Sequence, residues 1–212
     1  GRNGPMVCAP DMDLVVADGG MIRRSRPTGG GLAQVGAISL TGTVVGMGVL
    51  AADDVWVEGR IITAETFASA PARLKVYDAH TNALVQDTVI PTPVNLAGVV
   101  SIACSPLENR FYLGSSASAS LCEFVPAPSG QFEIASCFSL GTGVAPFSVQ
   151  VSDLGSLVYV SQGVVREKIR SSSGAWVARR GSLFDGHPAG NTFQLAVSRT
   201  NWDPNIMTPE SY

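Results

Sequence analysis

Apolar residues run along this chain in short bursts of four to eight, each closed by Gly, Ser, Asn, Asp or Pro. Such bursts read as β-strands, and no window of a dozen residues carries apolar positions at i, i+3, i+4 and i+7 between helix caps. Four bursts share a form: "DLVVADG" at 13–19, "DVWVEGR" at 54–60, "RFYLGSS" at 110–116 and "LVYVSQG" at 157–163, centred on Val15, Trp56, Tyr112 and Tyr159. Their mean spacing of about 48 residues is that of a β-propeller blade.

Two further landmarks keep the same order in every repeat. A hairpin with a polar turn follows each burst: "RPTGGG", "HTN", "PSGQ" and "SSSG". An apolar run that ends in a polar turn precedes it, as in "VVGMGVLAADD", "VVSIACSPLEN" and "FSVQVSDLGS". Met6 to Ala9 is then the first strand of the first repeat, which sets Cys8 against Cys104. The expected fold is all-β: a propeller of four four-stranded blades, at about 5–40, 44–90, 98–140 and 146–184, with a partial fifth at 193–212. One such sheet cannot bury both of its faces, whereas stacked sheets can. Gly46, Gly48 and Gly98 fall in or beside first strands, where backbones crowd together.

The motifs resemble the YVTN-type propeller repeat family. "VYVSQG" and "FYLGSS" stand for its second strand, "SPLEN" and "SDLGS" for the turn before it, and "LKVYDAHTNALVQDT" for the hairpin after it. "GTGVAPFSVQVSDLG" is similar to the family's approach to a first strand. Lactonase-like propellers share this grammar, and that resemblance implies an oxygen-ligated divalent cation, Ca²⁺, on the loop face, whereas the residues themselves call for no cofactor.

The run "FQLAVSRTNWDPN" reads as the start of a fifth blade. Open sheet edges and uncovered blade faces invite aggregation, so the ring must close. Three closures fit: a four-bladed ring with the last strand replacing or latching one in blade one, a five-bladed ring, or a fragment completed by blades elsewhere. The last is favoured.

Composition narrows the partners. The formal charge of −3 across 212 residues supplies no field for nucleic-acid phosphate, so nucleic acid is not expected. No apolar stretch approaches the roughly 20 residues of a membrane-spanning helix. A protein partner or self-assembly is expected instead.

The four cysteines give one geometric inference. A two-residue turn at Ser129 and Gly130 would place Cys122 opposite Cys137, within reach of a disulfide. Two reduced, buried thiols are the alternative. A disulfide favours an extracellular or secreted location. No CxxC, Cys/His cluster or HExxH is present to bind zinc.

Candidate site residues gather where the second-to-third turns and the links between blades share one face. They are Asp18, Asn95, Gln162, Asp185, His187 and Asn191, together with Arg60 and Glu65 from an apparent insertion over 60–71 that also carries Phe67. Loops on a rigid scaffold commonly carry function. His80, in a hairpin turn, reads as a turn residue. No catalytic residue is assigned. The reading is a non-catalytic binding or scaffold module for a protein or glycan partner, or a structural subunit of a larger assembly. The alternative is a metal-dependent lactonase-like hydrolase in which Glu65, Asn95, Asp185, His187 or Asn191 surround a Ca²⁺ or similar ion.

Overall fold

A computed structural model describes residues 5–8, 13–18, 20–51, 58–91, 94–98, 100–105, 108–140, 148–152, 155–161 and 164–180. They form four antiparallel four-stranded sheets, each a meander in chain order. Blade one holds β1 (Met6–Cys8), β2 (Leu14–Asp18), β3 (Met21–Thr28) and β4 (Gly31–Ser39). Blade two holds β5 (Thr43–Ala51), β6 (Glu58–Thr66), β7 (Arg73–Asp78) and β8 (Leu84–Val89). Blade three holds β9 (Val100–Cys104), β10 (Phe111–Ser115), β11 (Ser120–Pro126) and β12 (Phe132–Ser139). Blade four holds β13 (Ser148–Val151), β14 (Leu157–Ser161), β15 (Val164–Arg170) and β16 (Trp176–Arg180).

The first strands lie side by side, β1 by β5, β5 by β9 and β9 by β13. Three apolar layers fill the spaces between successive blades. Val15, Ile22 and Ile38 of blade one meet Met47, Val49, Ile61 and Tyr77 of blade two. Ile62, Leu74 and Val76 meet Ile102, Phe111, Leu113 and Phe124 in the second layer. Tyr112 and Leu121 meet Val149, Val151, Leu157 and Tyr159 in the third. Side chains alternate across a strand, so Ile61 and Ile62 serve different layers. Each is at most 1% exposed. The near-continuous apolar runs of the middle strands follow from burial on both faces.

Glycine has a steric reason in β5. A Cβ on Gly48 would lie 2.8 Å from both Cys104 Sγ and Ile102 Cγ2, and one on Gly46 would lie 2.7 Å from Val100 Cγ1. The first strands of blades two and three therefore approach at a distance that side chains at positions 46 and 48 would block.

Three sequence expectations need correction. The stretch 60–71 is not an insertion: most of it belongs to β6, the second strand of blade two. Trp56, read as that strand's centre, lies outside the described residues. With β6 in place the second-strand midpoints are Val16, Ile62, Leu113 and Tyr159, more evenly spaced than the motif centres. Tyr112 and Tyr159 are likewise not equivalent. Tyr112 points from blade three toward blade four and Tyr159 points back, so the two share one layer.

The third correction concerns the turn before Cys137. Ala127 N donates to Gln131 O, and Pro126 faces Phe132, which makes the loop one residue out of step with a two-residue turn at Ser129 and Gly130. A bulge between Glu123 and Phe124, opposite Ala135, restores the step. Cys122 consequently faces Cys137, and the two form a disulfide. Among the described residues, blade one is built from four consecutive strands. The expected partial blade at 193–212 lies outside the described residues.

Candidate functional site

The second-to-third turns and the links between blades collect at one end of the sheets. Asp18 closes β2 beside the turn to Met21 and is exposed. Asn95 lies in the link from β8 to β9, also exposed, and its Oδ1 accepts from Ala97 N at 2.8 Å in a local turn. Glu65 sits at the same end of β6, but it is fully buried beneath the link from blade one.

Glu65 is held from four sides. Thr63 Oγ1 donates to Oε1 at 3.1 Å and Tyr77 Oη at 3.2 Å. Gly42 N donates to Oε2 at 3.2 Å and Lys75 Nζ at 3.0 Å. Lys75 also donates to Thr41 Oγ1 at 2.6 Å and lies 5.5 Å from the centre of the Phe67 ring. Phe67 is half-buried over this lysine rather than displayed on an insertion. Burial, and after it the adjacent Glu65 carboxylate, hold the Tyr77 phenol well above the usual tyrosine range. Both Glu65 oxygens are thus committed to protein donors, which removes it as an open cation ligand.

Arg60 does not join this group. In the β6–β7 ladder it faces Asp78, while Glu65 faces Arg73 at the other end. Arg60 Nη1 pairs with Asp78 Oδ2 at 2.8 Å. Hydrogen bonds from Thr81 and His80 to the same carboxylate, led by the Thr81 backbone, hold Asp78 below the usual range. His80 is exposed in that turn, as expected of a turn residue. Gln162, Asp185, His187 and Asn191 lie outside the described residues. Of the eight candidates, the structure brings Asp18, Glu65 and Asn95 to one end and places Arg60 at the other.

Two buried acids escaped the sequence reading. Asp13, fully buried just before β2, takes a bidentate pair from Arg26 at 2.8 and 3.0 Å and an ion pair from Arg24. Arg24 also reaches across the blade junction to donate to Ala79 O. Glu123 on β11 is paired with Arg110 Nη1 at 2.6 Å and with Arg170 of blade four. It also accepts from Tyr112 Oη and Ser136 Oγ, each at 3.2 Å. Burial opposes the charge on Glu123, but the hydrogen bonds and charges of Arg170 and Arg110 outweigh it and hold the carboxyl below the usual range. Burial raises the Tyr112 and Tyr159 phenols. The signal available in the sequence was polar residues at strand positions that the two-sided pattern reserves for apolar ones. Among the described residues, no group of three His, Cys, Asp or Glu is placed to hold a metal ion, and no helix is long and apolar enough to cross a membrane.

No family model matches the sequence, the YVTN-type repeat included, and no curated protein matches it either. Solved structures do resemble it. A functionally unknown protein from Desulfotomaculum acetoxidans superposes with a TM-score of 0.68 at 15% identity, over 93% of this chain and 60% of its own. The periplasmic gluconolactonase of Pseudomonas aeruginosa gives 0.60 at 18% identity, over 88% and 58%. A catalytically inactive virginiamycin B lyase from Staphylococcus aureus, solved with quinupristin, gives 0.56 at 13% identity, over 84% and 55%. The chain therefore spans about 60% or less of the length of these neighbours. At such identities the likeness establishes the fold, and with four stacked antiparallel meanders that fold is the β-propeller.

Proposed function

We propose that the chain is a non-catalytic β-propeller module that presents its loop end to a protein or glycan partner, as part of a larger assembly. The observation that carries this reading is the saturation of the buried acids. Glu65 and Glu123 are engaged by neighbouring strands and blades rather than aimed into an open site. Asp13 is likewise engaged by Arg24 and Arg26. Such groups stiffen a scaffold, and a stiff scaffold is what loop-borne recognition requires. The Cys122–Cys137 disulfide supports an extracellular or secreted location.

A second reading, a metal-dependent lactonase-like hydrolase, is supported by the likeness to the Pseudomonas gluconolactonase. With Glu65 committed elsewhere, its ion would rest on Asn95, Asp185, His187 and Asn191.

One experiment separates the two. The purified chain is scanned for thermal stability with millimolar Ca²⁺ and with chelator, and is incubated with gluconolactone. The module reading expects no shift, no turnover above the spontaneous rate, and retention on a glycan array or in a native complex of higher mass. A Ca²⁺-dependent rise in melting temperature together with catalysed ring opening would replace it with the hydrolase.

A further inference from the structure

Cys122 and Cys137 stand opposite each other with Cα atoms 4.0 Å apart, the close spacing of a non-hydrogen-bonded antiparallel pair. Their surroundings differ. Cys122 is 3% exposed and packs in the layer toward blade two. Cys137 is exposed on β12, the outer strand of its blade, which among the described residues pairs with β11 alone.

The residues flanking Cys137 reach toward blade four. Ser136 donates to Glu123, the carboxylate that Arg170 of blade four grips. Phe138 stacks on Trp176 of blade four at 5.4 Å and meets the edge of Tyr112 at 6.4 Å. One covalent bond on an exposed edge strand therefore pins the segment that supplies both a hydrogen bond and an aromatic face to the junction of blades three and four.

We propose that Cys122–Cys137 is a thiol–disulfide exchange site, open to a dithiol reductant in the folded protein, that sets how firmly β12 is held against blade four. A reductant thiolate attacks Sγ of Cys137, the sulfur on the exposed strand. The Sγ–Sγ bond breaks and Cys122 leaves as a thiolate. The reductant's second thiolate then attacks the mixed disulfide and releases Cys137. Two electrons and two protons pass from the dithiol, which becomes a cyclic disulfide, to the two cysteines. Reduction leaves the backbone ladder, the Ser136–Glu123 hydrogen bond and the Phe138 ring contacts to hold Ser136–Ser139, and an edge strand held by one ladder opens more readily than a central one.

The test uses dithiothreitol on the folded chain. Maleimide labelling with peptide mapping, which separates Cys122 and Cys137 from Cys8 and Cys104, locates the thiols released without denaturant. Hydrogen exchange is followed in the same samples. The expected result is labelling of both residues under native conditions, with exchange over 132–139 rising by about fivefold while 73–89 changes by less than about twofold. The Cys122→Ser/Cys137→Ser variant is expected to show the faster exchange without reductant. Three results would overturn the proposal: labelling that requires denaturant, a rise of equal size in both segments, which marks a staple of the whole domain, or free thiols at both positions before any reductant is added.

Discussion

Arg170, the last residue of β15 in blade four, donates to the carboxylate of Glu123 in blade three, and the pair joins two sheets that, among the described residues, share no backbone hydrogen bond. Arg170 also lies 4.8 Å from the Trp176 ring centre, so its position is fixed from two directions. Replacing Glu123 by Gln leaves two guanidinium groups facing a neutral amide. Breaking a buried pair typically costs about 3–5 kcal/mol, and the solvent contact retained by both arginines brings the expected loss to about 2 kcal/mol. Urea denaturation of the two proteins at pH 7 measures it, and equal midpoints would contradict the assignment.

The same carboxylate predicts a pH dependence. Its folded-state pKa is depressed, so the unfolded chain binds more protons as pH falls. The stability contributed by Glu123 is then fully present above the ordinary carboxylate range, about pH 4.3, and is lost as pH falls through the folded value. Asp78 shifts in the same direction, so the informative quantity is the difference between wild type and Glu123→Gln. That difference is expected to stay constant from pH 7 to about pH 5 and to shrink below the ordinary range. A difference that grew on acidification would contradict a depressed Glu123 carboxyl.

Lys75 and Glu65 form the most deeply buried ion pair among the described residues, with side chains 5% and 0% exposed. Lys75→Met strands a buried carboxylate and is expected to destabilise by about 3–5 kcal/mol. Adding Glu65→Leu removes the stranded charge, so the double variant is expected to be more stable than Lys75→Met. Calorimetric melting temperatures decide the order, and a double variant below the single one would show that Thr63, Tyr77 and Gly42 depend on the acid more than the lysine does.

Tyr77→Phe deletes one of the four donors to Glu65 and keeps the ring in the first apolar layer. The expected loss is about 1 kcal/mol, the usual net worth of one hydrogen bond. A loss as large as that of Lys75→Met would mean that the phenol, not the ammonium, carries the site.

At Gly48 the prediction is steric. Alanine places its methyl group against Ile102 and Cys104, side chains already packed between β5 and β9. Overpacking of this kind costs about 1–3 kcal/mol. Gly29, in the turn between β3 and β4, has nothing within 4 Å of a Cβ, and alanine there serves as the control in the same denaturation series.

The fold was legible because each blade repeats one grammar of strand, polar turn, strand and hairpin, and that grammar is local. Legibility failed where the core admits polar residues. Thr63 and Glu65 interrupt the apolar pattern of β6 and make a strand resemble a loop, because their partners Lys75 and Tyr77 come from the neighbouring strand. Asp13 and Glu123 were missed for the same reason, since their arginines stand on other strands and, for Glu123, on another blade. The Cys122–Cys137 pairing emerged although neither the turn nor the ladder is regular, because a loop shift and a bulge of opposite sense cancel. Of the loop-end site, Asp18 and Asn95 were placed by the turn pattern alone. Arg60 was misplaced with the rest of β6.

Gln86 bridges the junction of blades two and three. Its side-chain amide accepts from Phe132 N at 2.7 Å and donates to Phe132 O at 3.0 Å, so one side chain on the outer strand of blade two imitates a strand neighbour for blade three. The junction before it is bridged by Arg24 to Ala79 O, and the junction after it by Arg170 to Glu123. The blades share one strand order, but each seam has its own lock and its own key. A blade moved to another position in the arc would meet a neighbour whose polar groups it does not answer, so the order of the blades is written in the side chains at these seams as much as in the continuity of the chain.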